Sequence, residues 1–484
     1  MTSRRNLVVA IVMIALGIAA LRDLSRLGDA LPWRTMDEFA DFYCAGWAVD
    51  QRENPYRYEP LHACEHRVNV GSSFRARLFA SNPRVAVPAP QPPYDLVPFA
   101  ALARLPVTPA RIVDGVAILL AVLVCAVALT ALGVPLGLSL AALALSVAYV
   151  ELNTAQIVPF ALLALVLGAL ALARGRYALA GVLVTLTAIE PLAGLPVIAA
   201  TLLFVRGARV AVVATALLLA VISTAAVGPS AVFDYFANVL PAHAASELHF
   251  PFQYSLTSAL VYFGLHPSAA RILGALSYLV LVVFGLVLAP RVSAALQRPE
   301  LLVFLPALSA VVAGPFLHQE ELCFALPALL ILAIATHGPA RALAALALCV
   351  LAIPWLLVWG AKQLFLASIF VCAAILLELE IDLSVGFGFL CLIAATIYLF
   401  QLHPPHLPVP TASAWHPYLP NDLVQNEWRD YTEARSTRDP LWLAIKLPTW
   451  AALIGALAIA ARRGLQFQRA FGSRLESSHK SRRQ

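Results

Sequence analysis

Three carboxylates fall within five residues at Asp37, Glu38 and Asp41, in the segment Met36-Asp37-Glu38-Phe39-Ala40-Asp41-Phe42-Tyr43-Cys44-Ala45-Gly46-Trp47. In a helix, Asp37 and Asp41 share a face, and Glu38 points roughly 100° away from Asp37. A carboxylate held at a membrane surface can act as general base toward an acceptor hydroxyl. The same residues would equally make an acidic first turn that complements a helix dipole. Taken alone, they leave both readings open.

Other groups with chemical potential are spread along the chain. Glu190-Pro191 interrupts the apolar run Leu179–Val205. A carboxylate at mid-membrane costs roughly 2.5–3.5 kcal/mol, so Glu190 faces a cavity or lies solvated at the tip of a hairpin; a hairpin favours the solvated position. His318-Gln-Glu-Glu321 offers an imidazole that would contact a phosphate or orient a base. Arg75, Arg77 and Arg84 suit a phosphate or a solvated loop equally well. His62-Ala-Cys-Glu65-His66 has the spacing of the inverted zinc-protease motif. Zinc also needs a third ligand, and nothing supplies one. A disulfide-pinned loop with surface histidines is therefore expected, with no metal and no cofactor.

The elements that must position these groups are membrane helices. Of 484 residues, 61% are hydrophobic and 12% charged. Soluble domains run at about 45–50% and about 25%. Apolar runs near the ~20-residue bilayer length recur from Leu7–Leu21 to Leu441–Ala461, which gives about 12 to 14 spans. In a fourteen-span arrangement Arg174, Arg176, Arg206, Arg209, Arg291, Arg298, Arg341, Arg462 and Arg463 share a side with Arg4 and Arg5, as the positive-inside rule requires. The net charge of +6 is thus distributed in short turns. No contiguous basic stripe for nucleic acid is present. The loop at 22–110 and the loop at 401–440 then face outward, residues 1–462 form the membrane domain, and 463–484 is a basic cytoplasmic tail beside anionic lipid. Cys44 and Cys64, both in the first outer loop, are a plausible disulfide if that loop faces an oxidising space.

The segment Glu38-Phe-Ala-Asp-Phe-Tyr-Cys-Ala-Gly46, followed by Asn54-Pro-Tyr56, resembles the signature Asp-Phe-x-x-Tyr-Tyr-x-Ala-Gly…Pro-Tyr. That signature belongs to the polyprenyl-phosphate-mannose-dependent glycosyltransferases (family 87) of the glycosyltransferase-C superfamily. Further pieces follow in the family's order: Pro92-Pro-Tyr94 before the second span, Asn153-Thr-Ala-Gln156 at a helix start, Gln253-Tyr-Ser-Leu256, and His318 in a late turn. Two positions depart from it. The family's catalytic Asp maps onto Glu38, and the Lys often found before a helix-breaking Pro is Glu190 here.

The resemblance implies an all-α, polytopic glycosyltransferase-C-type fold in a bacterial plasma membrane, with the active site on the extracytoplasmic side. It implies transfer of a sugar, mannose first, from a polyprenyl-phosphate donor to a lipid-linked or glycan acceptor, with inversion. Glu38 would be the base and Asp37 its alternate. Asp41, Tyr43, Arg75, Arg77, Tyr94, Gln156, Glu190, Gln253 and His318 would line the substrates, with Arg75, Arg77 and His318 stabilising the phosphate that leaves. A secondary transporter or a non-catalytic envelope-assembly protein is the alternative class.

Overall fold

The computed structural model describes residues 36–69, 79–80, 82–312, 314–408 and 417–481. The expected first span Leu7–Leu21, and Arg75 and Arg77, lie outside the described residues. Among those described, the chain is all α-helical, with one isolated antiparallel bridge between Arg57 and Leu423.

Three short helices precede the bundle: α1 (Phe39–Asp50), α2 (Tyr58–Val68) and α3 (Pro93–Leu102). The bundle follows as α4 (Val107–Ala131), α5 (Leu136–Leu143), α6 (Val150–Thr154), α7 (Val158–Ala173), α8 (Tyr177–Thr185), α9 (Pro191–Phe204) and α10 (Arg209–Val227). After α11 (Leu240–Ser246) come α12 (Pro267–Leu296), α13 (Leu301–Ala310), α14 (Leu326–Ala335), α15 (Pro339–Leu351), α16 (Leu364–Glu378) and α17 (Leu383–Leu402). The chain ends with α18 (Val424–Ala434) and α19 (Leu447–Ser481). Among the described residues, six segments are long and apolar enough to cross a membrane: Val107–Ala131, Leu136–Thr154, Arg206–Val227, Pro267–Leu296, Leu383–Leu402 and Leu441–Gln466. Shorter apolar helices, among them α7, α9 and α13, pack between them. This is a polytopic membrane protein.

Its outer helices wear their apolar side chains outward. Val210 on α10 is 83% exposed and Val280 on α12 is 65% exposed. Hydrocarbon, not water, is the solvent for such faces. The interior belongs to α13 and α14, where Phe304, Leu308, Leu329 and Leu332 are fully buried. The apolar stretch Ala342–Trp359 is not one helix: α15 stops at Leu351 and a separate turn begins after Pro354. Proline has no N–H to continue the ladder and restricts the residue before it.

Residues 82–92, which lead into α3, are rich in proline and form no helix or strand. Their backbone groups must therefore find side-chain partners. Tyr58 Oη donates to the Arg84 carbonyl (2.8 Å), His62 Nε2 to that of Pro83 (2.8 Å) and His66 Nε2 to that of Val85 (3.1 Å). Glu65 accepts the Val87 N–H (2.9 Å), and Glu427 of α18 accepts that of Ala86 (3.1 Å). The spacing that resembled a zinc motif is here a backbone clasp. Its histidines are not free surface groups, because α2 turns both toward the strap.

Cys44 and Cys64 are joined, with Cα atoms 5.6 Å apart, and this bonds α1 to α2. On its other side α1 meets α3 with almost no spacing. A Cβ built on Gly46 would lie 2.3 Å from the Phe99 carbonyl carbon and 2.6 Å from the Ala100 nitrogen. Both are backbone atoms, so no rotamer change relieves the clash. Overpacking of this kind costs about 1–3 kcal/mol. Gly46→Ala is therefore expected to lower the thermal midpoint of the purified protein by several degrees. An unchanged midpoint would mean that α1 and α3 can part without cost.

Candidate functional site

Glu38 is the residue at which α1 begins, and it is seated on the end of another helix. Helix α6 terminates at Ala155, whose φ of +65° closes it in the left-handed region. The freed carbonyls of Asn153 and Thr154 accept the N–H groups of Asp37 (3.0 Å) and Glu38 (2.8 Å). Orphan acceptors at one helix end thus meet orphan donors at the start of another. The Gln156 side chain, just past the turn, donates through Nε2 to Glu38 Oε2. Asp37 acts electrostatically on Arg111 at the start of α4. The Arg111 guanidinium also sits 5.7 Å from the ring centroid of Phe39.

A second group surrounds His318. Its Nε2 lies 3.4 Å from Glu247 Oε2, and its Nδ1 lies 3.8 Å from Glu321 Oε1. The His318 N–H donates to Glu321 Oε2 (2.5 Å). Gln253 is fixed from both ends: Leu317 N–H donates to its Oε1 (2.8 Å), and its Nε2 donates to Glu247 Oε2 (3.2 Å). Trp428, from α18, donates through Nε1 to Glu247 Oε1. The last loop therefore packs over this group, with Thr432 also bonded to the Ser246 carbonyl.

The electrostatics of this group are reciprocal. Burial works against the His318 cation, but hydrogen bonds and charge from Glu247 and Glu321 overcome it and hold the imidazole well above its ordinary range. Burial likewise works against the Glu247 anion, yet His318, His243 and Trp428 hold that carboxyl below its ordinary range. The Gln253 amide opposes protonation of one ring nitrogen, since its Nε2 stands 2.6 Å from His318 Nε2. The two carboxylates outweigh that single contact.

A third group lies at the helix interruption. Helix α8 tightens into a 3-10 turn over Leu186–Ile189, and Glu190 precedes Pro191 at the start of α9. The solvated hairpin tip expected for Glu190 is not what forms: the residue is only 8% exposed. Its cover includes Tyr94, whose Oη donates to the Ala188 carbonyl (2.7 Å). Asp95 next to it is held well above the usual carboxylate range by burial and by Glu190.

Glu151 ties the three groups together. It is fully buried on α6, neither carboxyl oxygen has a hydrogen-bond partner, and Glu38, Glu190, Glu320 and Glu321 all act on it electrostatically. Glu38, Gln156, Glu190, Gln253 and His318 are thus gathered around one neighbourhood. Tyr43 serves as a tie instead, its Oη donating to the Leu105 carbonyl (2.9 Å). Asp41 is buried within α1. Sequence reasoning passed over Glu151, Glu247 and Trp428. Glu151 sits one residue beyond an apolar run and reads as an ordinary interfacial acid. Among the described residues, no group of three or more His, Cys, Asp or Glu is arranged to hold a metal ion.

Residues 91–318 match the family described as glycosyltransferase family 87. The matched stretch takes in Tyr94, Gln156, Glu190, Gln253 and His318, and begins downstream of Asp37 and Glu38. No curated protein and no solved structure matches the chain.

The Glu247–His318 pair sets a pH dependence whose sign follows from the two shifts. The lowered Glu247 contributes stability above the unfolded carboxylate value of about 4.3 and loses it as pH falls through its folded value. The raised His318 contributes fully below about 6.5 and loses it as pH rises through its folded value. Thermal stability is therefore expected to decline as the medium is made alkaline. His318→Gln should be less stable at neutral pH and flatter across that range. Equal alkaline slopes in both proteins would place the titrating group elsewhere.

Proposed function

We propose that this protein is a membrane glycosyltransferase that takes its sugar from a polyprenyl-phosphate donor and delivers it to a lipid-linked or glycan acceptor at the extracytoplasmic face. The observation that carries the reading is the Glu38 carboxylate, fixed by an amide from within the stretch that matches glycosyltransferase family 87. Membrane burial of the catalytic neighbourhood suits a lipid-linked donor.

Glu38 removes the proton from the acceptor hydroxyl, and that oxygen attacks the anomeric carbon as the bond to the polyprenyl phosphate breaks. The configuration inverts, and the phosphate leaves already ionised, so no acid has to protonate it. Glu38 suits the role better than Asp37. The Gln156 amide orients the Glu38 carboxylate, and Glu38 is the residue that the family signature aligns with its catalytic acid. The protonated His318 is the cation offered to the departing phosphate, since charge placed where charge develops lowers the barrier. Mannose is the sugar that the family resemblance favours. Glu190 would stand near the donor as an acceptor of sugar hydroxyl protons, in place of the lysine of the family pattern.

A general base contributes roughly 10²–10⁴-fold in rate. Glu38→Gln is expected to lose about that much transfer from a polyprenyl-phosphate mannose donor in liposomes while remaining folded and inserted. Glu38→Asp should retain more than Glu38→Gln, and Asp37→Asn should be affected less. If Asp37→Asn is inactive and Glu38→Gln is not, the two acids exchange roles. Full activity in both variants and in the double variant would remove this segment from catalysis, and the transferase reading with it.

A further inference from the structure

A concavity of about 440 Å³ lies beside α1, away from the groups just described. Three segments build it: Trp47 in the last turn of α1, the stretch Glu53, Asn54 and Arg57 with Glu59 in the first turn of α2, and Pro420 with Asn421. These segments are fastened to one another. The Cys44–Cys64 bond joins the helices. Arg57 donates to the Asn421 carbonyl (3.1 Å), Tyr58 N–H to that of Asp422 (2.9 Å) and Glu59 N–H to that of Pro420 (3.2 Å). The hollow is therefore preformed and does not wait for a loop to order.

Its chemistry is selective. Trp47 lines the hollow; the Arg67 guanidinium covers one face of its indole, 5.2 Å from the ring centroid, so a ligand stacks on the opposite face. Glu53 and Glu59 offer acceptors. Asn54 spends its Oδ1 on the Tyr56 N–H (3.0 Å), which leaves its amide NH₂ to donate. A sugar ring meets this set on both counts. Its C–H edges carry partial positive charge and stack on the negative face of an aromatic ring, and its hydroxyls donate to carboxylates while accepting from amides. A phosphate is a poor fit, because two carboxylates face one guanidinium and Arg57 is already paired with Asp234 at 2.5 Å. An extended peptide would need a sheet edge or a deep apolar anchor, and the described residues include no strand.

We propose that this hollow is a binding subsite for a neutral sugar residue of a glycan chain. Trp47 lies nine residues after Glu38 on the same helix, about 13 Å along its axis at 1.5 Å per residue. That this sugar belongs to the acceptor rests on the transferase reading; the binding does not.

The test uses the full-length protein in lipid nanodiscs, because a maltoside detergent would itself present sugar. Saturation-transfer NMR with methyl α-mannoside and with an α-linked mannotriose is expected to show transfer to ring protons, stronger for the trisaccharide. Trp47→Leu should abolish it. The exposed changes Glu53→Gln and Asn421→Ala, which leave the helix packing alone, should each weaken binding by up to roughly tenfold, as the loss of one hydrogen bond does. No transfer from either probe, equal transfer in Trp47→Leu, or no effect of both exposed changes would each overturn the subsite. Normal binding in a protein without transferase activity would instead remove the acceptor role and leave the subsite standing.

Discussion

Much of this structure depends on one helix end. When α6 stops at the left-handed Ala155, its last carbonyls have no partner within the helix. The N–H groups that open α1 have the complementary deficit. Joining them at Asp37 and Glu38 satisfies both ends and fixes where α1 starts to within a residue. That in turn fixes the Cys44 position that reaches Cys64, the Gly46 that lets α3 approach, and the Glu38 carboxylate that meets Gln156. A shift of one residue in α1 would break all three at once.

The charge balance of the interior is less obvious. Glu38, Glu151, Glu190, Glu320 and Glu321 share one electrostatic neighbourhood, and His318 is the cation that acts on Glu190 and Glu320 within it. Buried acids of like charge repel one another, and their separation from water adds to the cost. The protein answers with position: Glu247 and Glu321 flank His318, and α18 closes over the pair through Trp428. Helix α18 is thus part of the same electrostatic unit as the turn at His318, although Trp428 lies 110 residues further along the chain.

The sequence announces this architecture unevenly. Apolar runs declare membrane helices because lipid tolerates nothing else over that length: the apolar stretches Arg111–Leu132 and Leu136–Val150 in the sequence lie close to the helices Val107–Ala131 and Leu136–Thr154. Glu190-Pro191 marks a real helix interruption, since proline enforces one. Burial of Glu190 was not legible, because it depends on Tyr94 and Asp95 arriving from a different loop. His62-Ala-Cys-Glu65-His66 shows the reverse problem. Its spacing belongs to one helix face, and one face serves a proline-rich strap as readily as it would serve a metal.

That strap explains why the outer segments are so rich in side chains that donate and accept. A chain without helix or sheet cannot satisfy its own backbone. Tyr56 and Tyr235 donate to the carbonyls of Gln91 and Pro90, continuing the row begun by Tyr58, His62 and His66. The partners come from α1–α2, from the segment before α11 and from α18, so the strap draws separate parts of the chain onto one surface. The order runs one way: Pro90–Tyr94 enters α3, α3 packs against Gly46 of α1, and α1 carries Glu38 to the end of α6. A strap with no regular structure of its own therefore helps set the position of the carboxylate on which the proposed chemistry turns.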